Sequence, residues 1–588
     1  MSLFRQRCAA VGSVIIAICL SCCSAITLYG KQHKVTLSAV QRTSDKKFVS
    51  SIPNCSGCFF KRRVIINSHK PFSRQLKYKK TVYAIQGDIT LDSDVTVPYG
   101  SIMKFEGGSL NGNGHTLTGN GTTIEAPIVP IISNVEIAGT WGEQDFYAEW
   151  FGAAGDGITD DGPAMSLALS LGNLHLLDKT YYINKTLKIT SSNRRIHGGD
   201  STLIKISSYG KKNPIILCRD ISGVIIENLS LTVDGFEWRE RTDNPQEDGY
   251  AEYFALRKAQ VRGGLVCEYC NDFIIRNLTI SYSGYGILCN MGNSHFTVKD
   301  NYIHHTMIDG IAMYTQDKHF LVEGNRIEYT CDDAISVVST HDDNLSGECS
   351  DILVENNSIY NCYARPFIIN GGENITFRNN TVSGCGLSLI YISDKTGNPK
   401  VDPLSRPHEI NISDNYFEFT YPNVPVNQNN RVLIINNCDD LFFSKNVIKY
   451  KKPNEVSLAN GNYIQVYNCT NSTFEGNTID FAGFIVLGQD TRNIAFLHNV
   501  LRKSLMNAIR LENGSNIDVT ENQMDKYPHE VSKRVFTVLG DVYDATVMDN
   551  HITSGDIYVS EKAKRIKSNL SGITNHNLNP NDNPNIEL

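Results

Sequence analysis

The chain has 588 residues, 41% hydrophobic and 20% charged, with a formal net charge of -7. That is ample for a large core, and with no extended basic patch in the body of the chain a nucleic-acid ligand is not expected. After the first 25 residues no stretch holds about 18 uninterrupted apolar residues, so the mature chain is not expected to span a membrane.

In chain order, residues 1–25 read as a secretory signal. Arg5 and Arg7 precede an apolar run from Ala9 to Leu20, and small residues follow. Cys22 and Cys23 resemble a lipoprotein signal, with either cysteine as the lipid acceptor. Simple cleavage near Ala25 is the alternative. Either outcome sends the chain across the inner membrane, to the periplasm or the outer-membrane surface. Residues 26–81 read as a polar leader. Residues 82–145 read as a small β-rich module of short strands broken by Gly and Asn. Acidic turn residues Asp156, Asp160 and Asp161 then precede Pro163, where a helix with Met165, Ala168 and Leu169 on one face is expected to cap a solenoid.

From about residue 217 a phrase recurs. An Asn stands before one or two apolar residues at Asn228, Asn277, Asn301, Asn325, Asn357, Asn380, Asn415, Asn446, Asn477, Asn499, Asn522 and Asn550. The commonest spacing is 22 to 24 residues, and longer gaps read as one period plus an inserted loop. The flanking residues alternate apolar and polar, as strands do. Propeller blades need longer repeats and horseshoe repeats need more Leu. The pattern therefore predicts an all-β fold, a right-handed single-stranded parallel β-helix over 146–575 with a polar tail at 576–588. A monomer is expected. The Asn residues are expected at turns, in left-handed conformation or stacked as an internal ladder. The 16 cysteines do not read as a disulfide framework. Cys267 with Cys289, and Cys362 with Cys385, stand one period apart and read as buried ladders. Cys55 and Cys58 form a CxxC without the partners a zinc site needs.

The repeat also serves as a ruler. Eight residues after Asn277, Asn301, Asn325 and Asn357 stand Tyr285, Asp309, Asp333 and Arg365. These are expected to stack on one face, with Asp332 beside Asp333. Three converging carboxylates must raise the pKa of at least one of them or hold a cation. A protonated acid beside a carboxylate is the equipment of glycosidic-bond cleavage. His305 and His341 are candidate substrate contacts, as are Arg365 and Lys318 for a carboxylate or sulfate on a sugar. Two insertions are candidate walls. One, at 234–260, carries Trp238, Tyr250, Tyr253 and Phe254; the other, at 339–351, carries His341.

The segment WFGAAGDGITDD resembles the opening motif of the pectin-lyase-like superfamily of right-handed parallel β-helices. The preceding KFEGGSLNGNGHTLTGNGTTIEAP is similar to leaders of secreted β-helix proteins from gut Bacteroidetes. Met307-Ile308-Asp309-Gly310 and Cys331-Asp332-Asp333-Ala334 resemble, more weakly, the acidic elements of polygalacturonase-type glycoside hydrolases. That resemblance implies Asp332 or Asp333 as general acid. Asp309 and the remaining Asp would activate water for inversion, without a cofactor, on a polysaccharide or oligosaccharide. The family's Gly-His-Gly and Arg-x-Lys elements have no counterpart, so a glycan other than polygalacturonate is expected. Lyases of this fold suggest an alternative, in which Asp309, Asp332 and Asp333 hold Ca2+ and Arg365 acts as base. A noncatalytic glycan-binding surface protein is the third reading.

Overall fold

The computed structural model describes residues 62–207, 213–235, 263–339, 341–342, 345–385, 387–394, 406–419, 431–450, 462–505, 507–527, 533–560, 562–570 and 586–587. All lie in one unit, Ser50–Leu588. Each coil of the solenoid lays down three strands. Ser294–Lys299 and Tyr302–Thr306 enter a 30-stranded sheet, and Ile311–Tyr314 enters a 14-stranded sheet. Each strand pairs in parallel with its counterpart one coil on, as in Ile303↔Ile327 and Ile311↔Ile335. Alternate side chains point inward into one continuous apolar core that runs from Ile66 to Ile566. Within it Phe273, Phe296 and Phe320 stack with centroids 4.8 Å apart. This is a right-handed parallel β-helix.

The repeat Asn residues from Asn301 to Asn550 form a buried ladder at the bend between the two strands of the long sheet. Each donates its backbone N–H and its side-chain Nδ2 to Oδ1 of the next, at 2.8–3.2 Å. The amide also reaches a backbone carbonyl, as from Asn446 to Ile412 O at 2.8 Å. The bend therefore buries its polar groups with partners. The left-handed residue is the one before the Asn: Asp300, Gly324, Asn356, Asn379 and Asp414 all have φ between 53° and 67°. The expectation that the ladder Asn itself takes the left-handed conformation is corrected.

Two early repeats are out of phase with this ladder. Thr279 pairs with Tyr302, so Leu278 occupies the position of Asn301 and Asn277 that of Asp300. Accordingly Asn277 has φ 53° and Asn228 φ 57°, and the two bond each other at 3.0 Å on the exposed surface.

The N-terminal module begins earlier than expected and is itself coiled. Arg62–Ile66, inside the expected polar leader, pairs in parallel with Thr81–Ile85, which pairs with Ile102–Phe105. The helix Gly162–Leu171 has Pro163 in its first turn and buries Met165, Ala168 and Leu169. At the other end Ile586–Glu587, inside the expected polar tail, pairs with Lys564–Ser568. The ten described cysteines are free thiols. Cys218, Cys267 and Cys289 are register partners, as are Cys362 and Cys385. Cys22, Cys23, Cys55 and Cys58 lie outside the described residues.

Candidate active site

The acids sit in the turns that carry the chain from the long sheet into the 14-stranded sheet. Asp309 lies between Tyr302–Thr306 and Ile311–Tyr314, Asp332 and Asp333 between Arg326–Thr330 and Ile335–Val338, and Arg365 before Phe367–Asn370. Backbone bonds extend the ladder into these turns: Gly286 N to Asp309 O, Gly310 N to Asp333 O and Ala334 N to Arg365 O. Tyr285, Asp309, Asp333 and Arg365 thus occupy successive coils at one register position.

The ruler reaches Tyr285 through two offsets that cancel. Counting began one residue early, at Asn277 rather than Leu278. The turn to Ile311 holds one residue more than the turn to Ile287, because Ser283 pairs with Thr306 but Ile287 with Ile311.

One oxygen from each of Asp309, Asp332 and Asp333 lies within 4.8 Å of the others. Asp309 is 2% exposed. Its Oδ2 accepts from the Tyr314 hydroxyl at 2.6 Å and the Ser336 hydroxyl at 2.8 Å, and its Oδ1 from the Asp333 N–H at 3.2 Å. Burial, and then the charges of Asp332 and Asp333, push its pKa up to about 8 against these bonds. Asp333 is 5% exposed. Burial raises its pKa to about 6, although Arg365 beside it pulls the other way. Arg365 Nε and N–H both donate to Asp333 Oδ1, at 2.7 and 3.1 Å, and Nη2 donates to Oδ2 at 3.2 Å. The same Nη2 stands 4.0 Å from Asp332 Oδ1, whose side chain is 21% exposed. Burial works against the Arg365 charge, but the two acids outweigh it and raise its pKa. At neutral pH Asp309 therefore keeps its proton and Asp333 is ionised against Arg365. Asp332 is the acid open to solvent.

Three groups at this site were not read from the sequence. Tyr314 and Ser336 bond Asp309, and Tyr391 lies 5.1 Å below the Arg365 guanidinium. All three take outward positions on the 14-stranded sheet: Ser336 pairs with Ala312, and Ile368 with Tyr391. Outward alternation from Ile311 was the signal that could have found Tyr314 and Ser336. Tyr285 meets Tyr314 edge-on at 6.2 Å. Beside them Val266, Leu288 and Ala312 form a buried apolar patch on the sheet's outer face.

Other candidates do not converge here. Lys318 is exposed and opens Lys318–Glu323, past the end of Ile311–Tyr314 remote from Asp309. His305, with φ 57°, stacks between Tyr282 and Tyr329 at 4.9 Å from each, in an aromatic column on the long sheet. His341 belongs to a small hairpin, His341–Asp342 with Leu345–Ser346, and its side chain lies outside the described residues. That hairpin follows Ile335–Val338, the strand that begins just after Asp332 and Asp333. Trp238, Tyr250, Tyr253 and Phe254 lie outside the described residues.

As a calcium site, the donors are oxygen and correctly placed, but Asp333 is already neutralised by Arg365 and only Asp332 is open. Calcium takes six to eight oxygens, waters included, so these groups would need water or substrate oxygens to complete its shell beside the guanidinium.

Residues 256–403 match the family model described as a right-handed beta helix region. No curated protein matches the sequence significantly. Among solved structures the chain is similar to the catalytic unit of a GH87 alpha-1,3-glucanase from Streptomyces thermodiastaticus. The identity is 15%, over 71% of this chain and 70% of that one, with a TM-score of 0.41. It is also similar to the A-module of the Azotobacter vinelandii mannuronan C-5 epimerase AlgE6, at 16% identity over 73% and 100%, TM-score 0.32. A third is PfbA, a surface adhesin of Streptococcus pneumoniae, at 13% over 73% and 93%, TM-score 0.39. The family model and the strand pairing agree on a right-handed parallel β-helix.

Proposed function

We propose that this protein is a secreted carbohydrate-active enzyme, a glycoside hydrolase acting on a polysaccharide or oligosaccharide through the Asp309–Asp332–Asp333 cluster. The observation that carries the reading is three carboxyl groups gathered from two adjacent coils, two of them buried and two of them beside one guanidinium. Such an arrangement costs stability, and apolar residues would pack the same turns more cheaply. Perturbed acids of this kind concentrate where proton transfer is needed. Asp332, the open carboxyl, meets the glycosidic oxygen or the attacking water. Asp333 and Arg365 hold it in place and set its field. Asp309, sealed and protonated, keeps the cluster from carrying three negative charges. Asp309 thus supports the chemistry rather than activating water itself. The signal at residues 1–25 would export the chain, with Cys22 or Cys23 as a lipid anchor. Among the described residues no helix is long and apolar enough to cross a membrane.

A calcium-dependent lyase is the second reading, favoured by the mutual approach of the three carboxylate oxygens. One assay separates them. Purified protein is incubated with a glycan panel, with and without a calcium chelator. Products are read for reducing ends, for ultraviolet absorbance from unsaturation and for the anomer first released. Reducing ends without unsaturation, unaffected by chelation and abolished in Asp332→Asn, are expected. Chelator-sensitive unsaturated product supports the lyase instead. Glycan binding without product, unchanged in Asp332→Asn, overturns both in favour of a binding protein. The anomer decides between inversion and retention.

A further inference from the structure

We propose that Asp145, His175 and His197 form a divalent transition-metal site, remote in sequence from the acidic cluster and independent of its function. The three come from successive strands at the start of the solenoid. Asp145 lies in Asp145–Tyr147, before the helix Gly162–Leu171. His175 and His197 lie in Asn173–His175 and Arg195–His197, after it. Asp145 pairs with Asn173, and Tyr147, His175 and His197 are register partners in turn. Residues two apart on a strand share a face, so Asp145 lies diagonal to His175 on the face that both histidines share.

The ligand atoms converge. Asp145 Oδ2 is 3.3 Å from His197 Nε2 and 3.8 Å from His175 Nδ1. One such atom from each residue lies within 4.8 Å of the others. Ligands about 2.0–2.1 Å from a tetrahedral zinc ion stand roughly 3.3 Å apart, so little movement closes the site. The second observation is that His175 Nδ1 and His197 Nε2 are both sealed from water and make no hydrogen bond. The carboxylate approaches them without hydrogen-bond alignment. His197 is 9% exposed. The Asp145 carboxylate meets both nitrogens only as an off-axis ion pair, and a metal ion between the three side chains would accept both lone pairs and complete them.

The surroundings suit a ligand set. Asn173 Nδ2 donates to the other oxygen of Asp145 at 3.3 Å, and the Tyr147 ring stacks on His175 at 4.8 Å. Outer partners of this kind orient metal ligands. The next residue in the column, Glu227, is held instead by Arg195 and Arg276. Two imidazoles and one carboxylate favour zinc or a neighbouring first-row ion over calcium or magnesium. Bound there, the ion would tie the strand before the capping helix to the two strands after it.

The test uses the untagged, chelator-treated chain carrying Cys55→Ser and Cys58→Ser, so that those thiols do not compete. Zinc uptake is measured against a chromophoric chelator, and cobalt(II) is added as a spectroscopic probe. One equivalent of zinc, a visible ligand-field spectrum with cobalt and a zinc-induced rise in unfolding temperature are expected. His175→Ala and His197→Ala should each weaken zinc at least tenfold, while His408→Ala, in a separate His/Glu group, leaves it unchanged. Absence of uptake and of the cobalt spectrum in the unmutated site overturns the proposal. So does uptake that survives both histidine substitutions or is lost in His408→Ala. Should a histidine variant fail to fold, the cobalt spectrum of the unmutated site still decides.

Discussion

Arg365 grips Asp333 through two donors on a single oxygen: its Nε at 2.7 Å and its own backbone N–H at 3.1 Å both reach Oδ1. The backbone bond is a consequence of the coil register, and the side-chain bond is specific to Arg. Arg365→Ala therefore leaves a carboxylate almost without solvent, with one backbone donor. Loss of one partner from a buried pair costs about 3–5 kcal/mol. The guanidinium is partly exposed, so a loss of about 2–3 kcal/mol in urea unfolding is expected, together with loss of glycan cleavage. Arg365→Lys keeps the charge but not the fork, and should recover less than half of the stability.

Asp332 and Asp309 should respond in opposite ways to the same change. Asp332→Asn alters an open side chain, so stability should move by less than about 0.5 kcal/mol while turnover falls at least a hundredfold. Asp309→Asn replaces a carboxyl that is already neutral at pH 7; its amide oxygen still accepts from Tyr314 and Ser336, but its Nδ2 cannot accept from the Asp333 N–H. Stability at pH 7 should fall by about 1–2 kcal/mol, and activity should fall less than in Asp332→Asn. Equal stability losses in the two variants would contradict this division.

The pH dependence has a defined sign. Asp309 has a folded pKa of about 8, above the roughly 3.9 of an unfolded Asp. Between those values the native state binds more protons than the unfolded state, so this group's contribution makes stability fall as pH rises from about 4 to about 8. Asp309→Asn removes the contribution. Urea midpoints from pH 4 to 9 should therefore decline less steeply in the variant, and the difference between the two proteins should level off above pH 8.

What the sequence carried, and what it did not, follows from which interactions repeat. The ladder Asn and the inward Phe and Ile residues recur because every coil meets the same bend and the same core, so period and fold are legible. Asp309, Asp333 and Arg365 could be aligned because the intervals from Asn301, Asn325 and Asn357 are equal in length and carry the same left-handed break, at His305, Tyr329 and Asn361. Ser336 was missed because its role depends on a neighbour one coil away, whereas Tyr314 reaches Asp309 within its own coil and was legible only through the outward alternation that starts at Ile311. Proximity in sequence to Asp309 says little when a turn sends flanking strands into different sheets. The N-terminal module was expected as short strands over 82–145, but its parallel coiling from Arg62 went unread because no recurring phrase marks its period.

The phase slip between Asn277 and Asn301 gives the last prediction. Asn446 lies inside the ladder. It donates two bonds to Asn477 and one to Ile412 O, and accepts two from Asn415. Asn446→Ala strips partners from the buried N–H groups of Asn415 and from the Ile412 carbonyl, where water cannot replace them. At about 1–3 kcal/mol for each buried group left unpaired, a loss of at least 2 kcal/mol is expected. Asn446→Asp should be as harmful, because a carboxylate cannot donate to Asn477 and Ile412. Asn277 belongs to the same sequence phrase but to a different structural position. Its side chain bonds Asn228 at the exposed surface, and what the position requires is φ 53°, which Gly adopts without strain. Asn277→Gly should therefore cost less than about 1 kcal/mol. Urea unfolding of the three variants measures this directly. A loss in Asn277→Gly matching that in Asn446→Ala would mean that the phrase, rather than the ladder, sets the energetics.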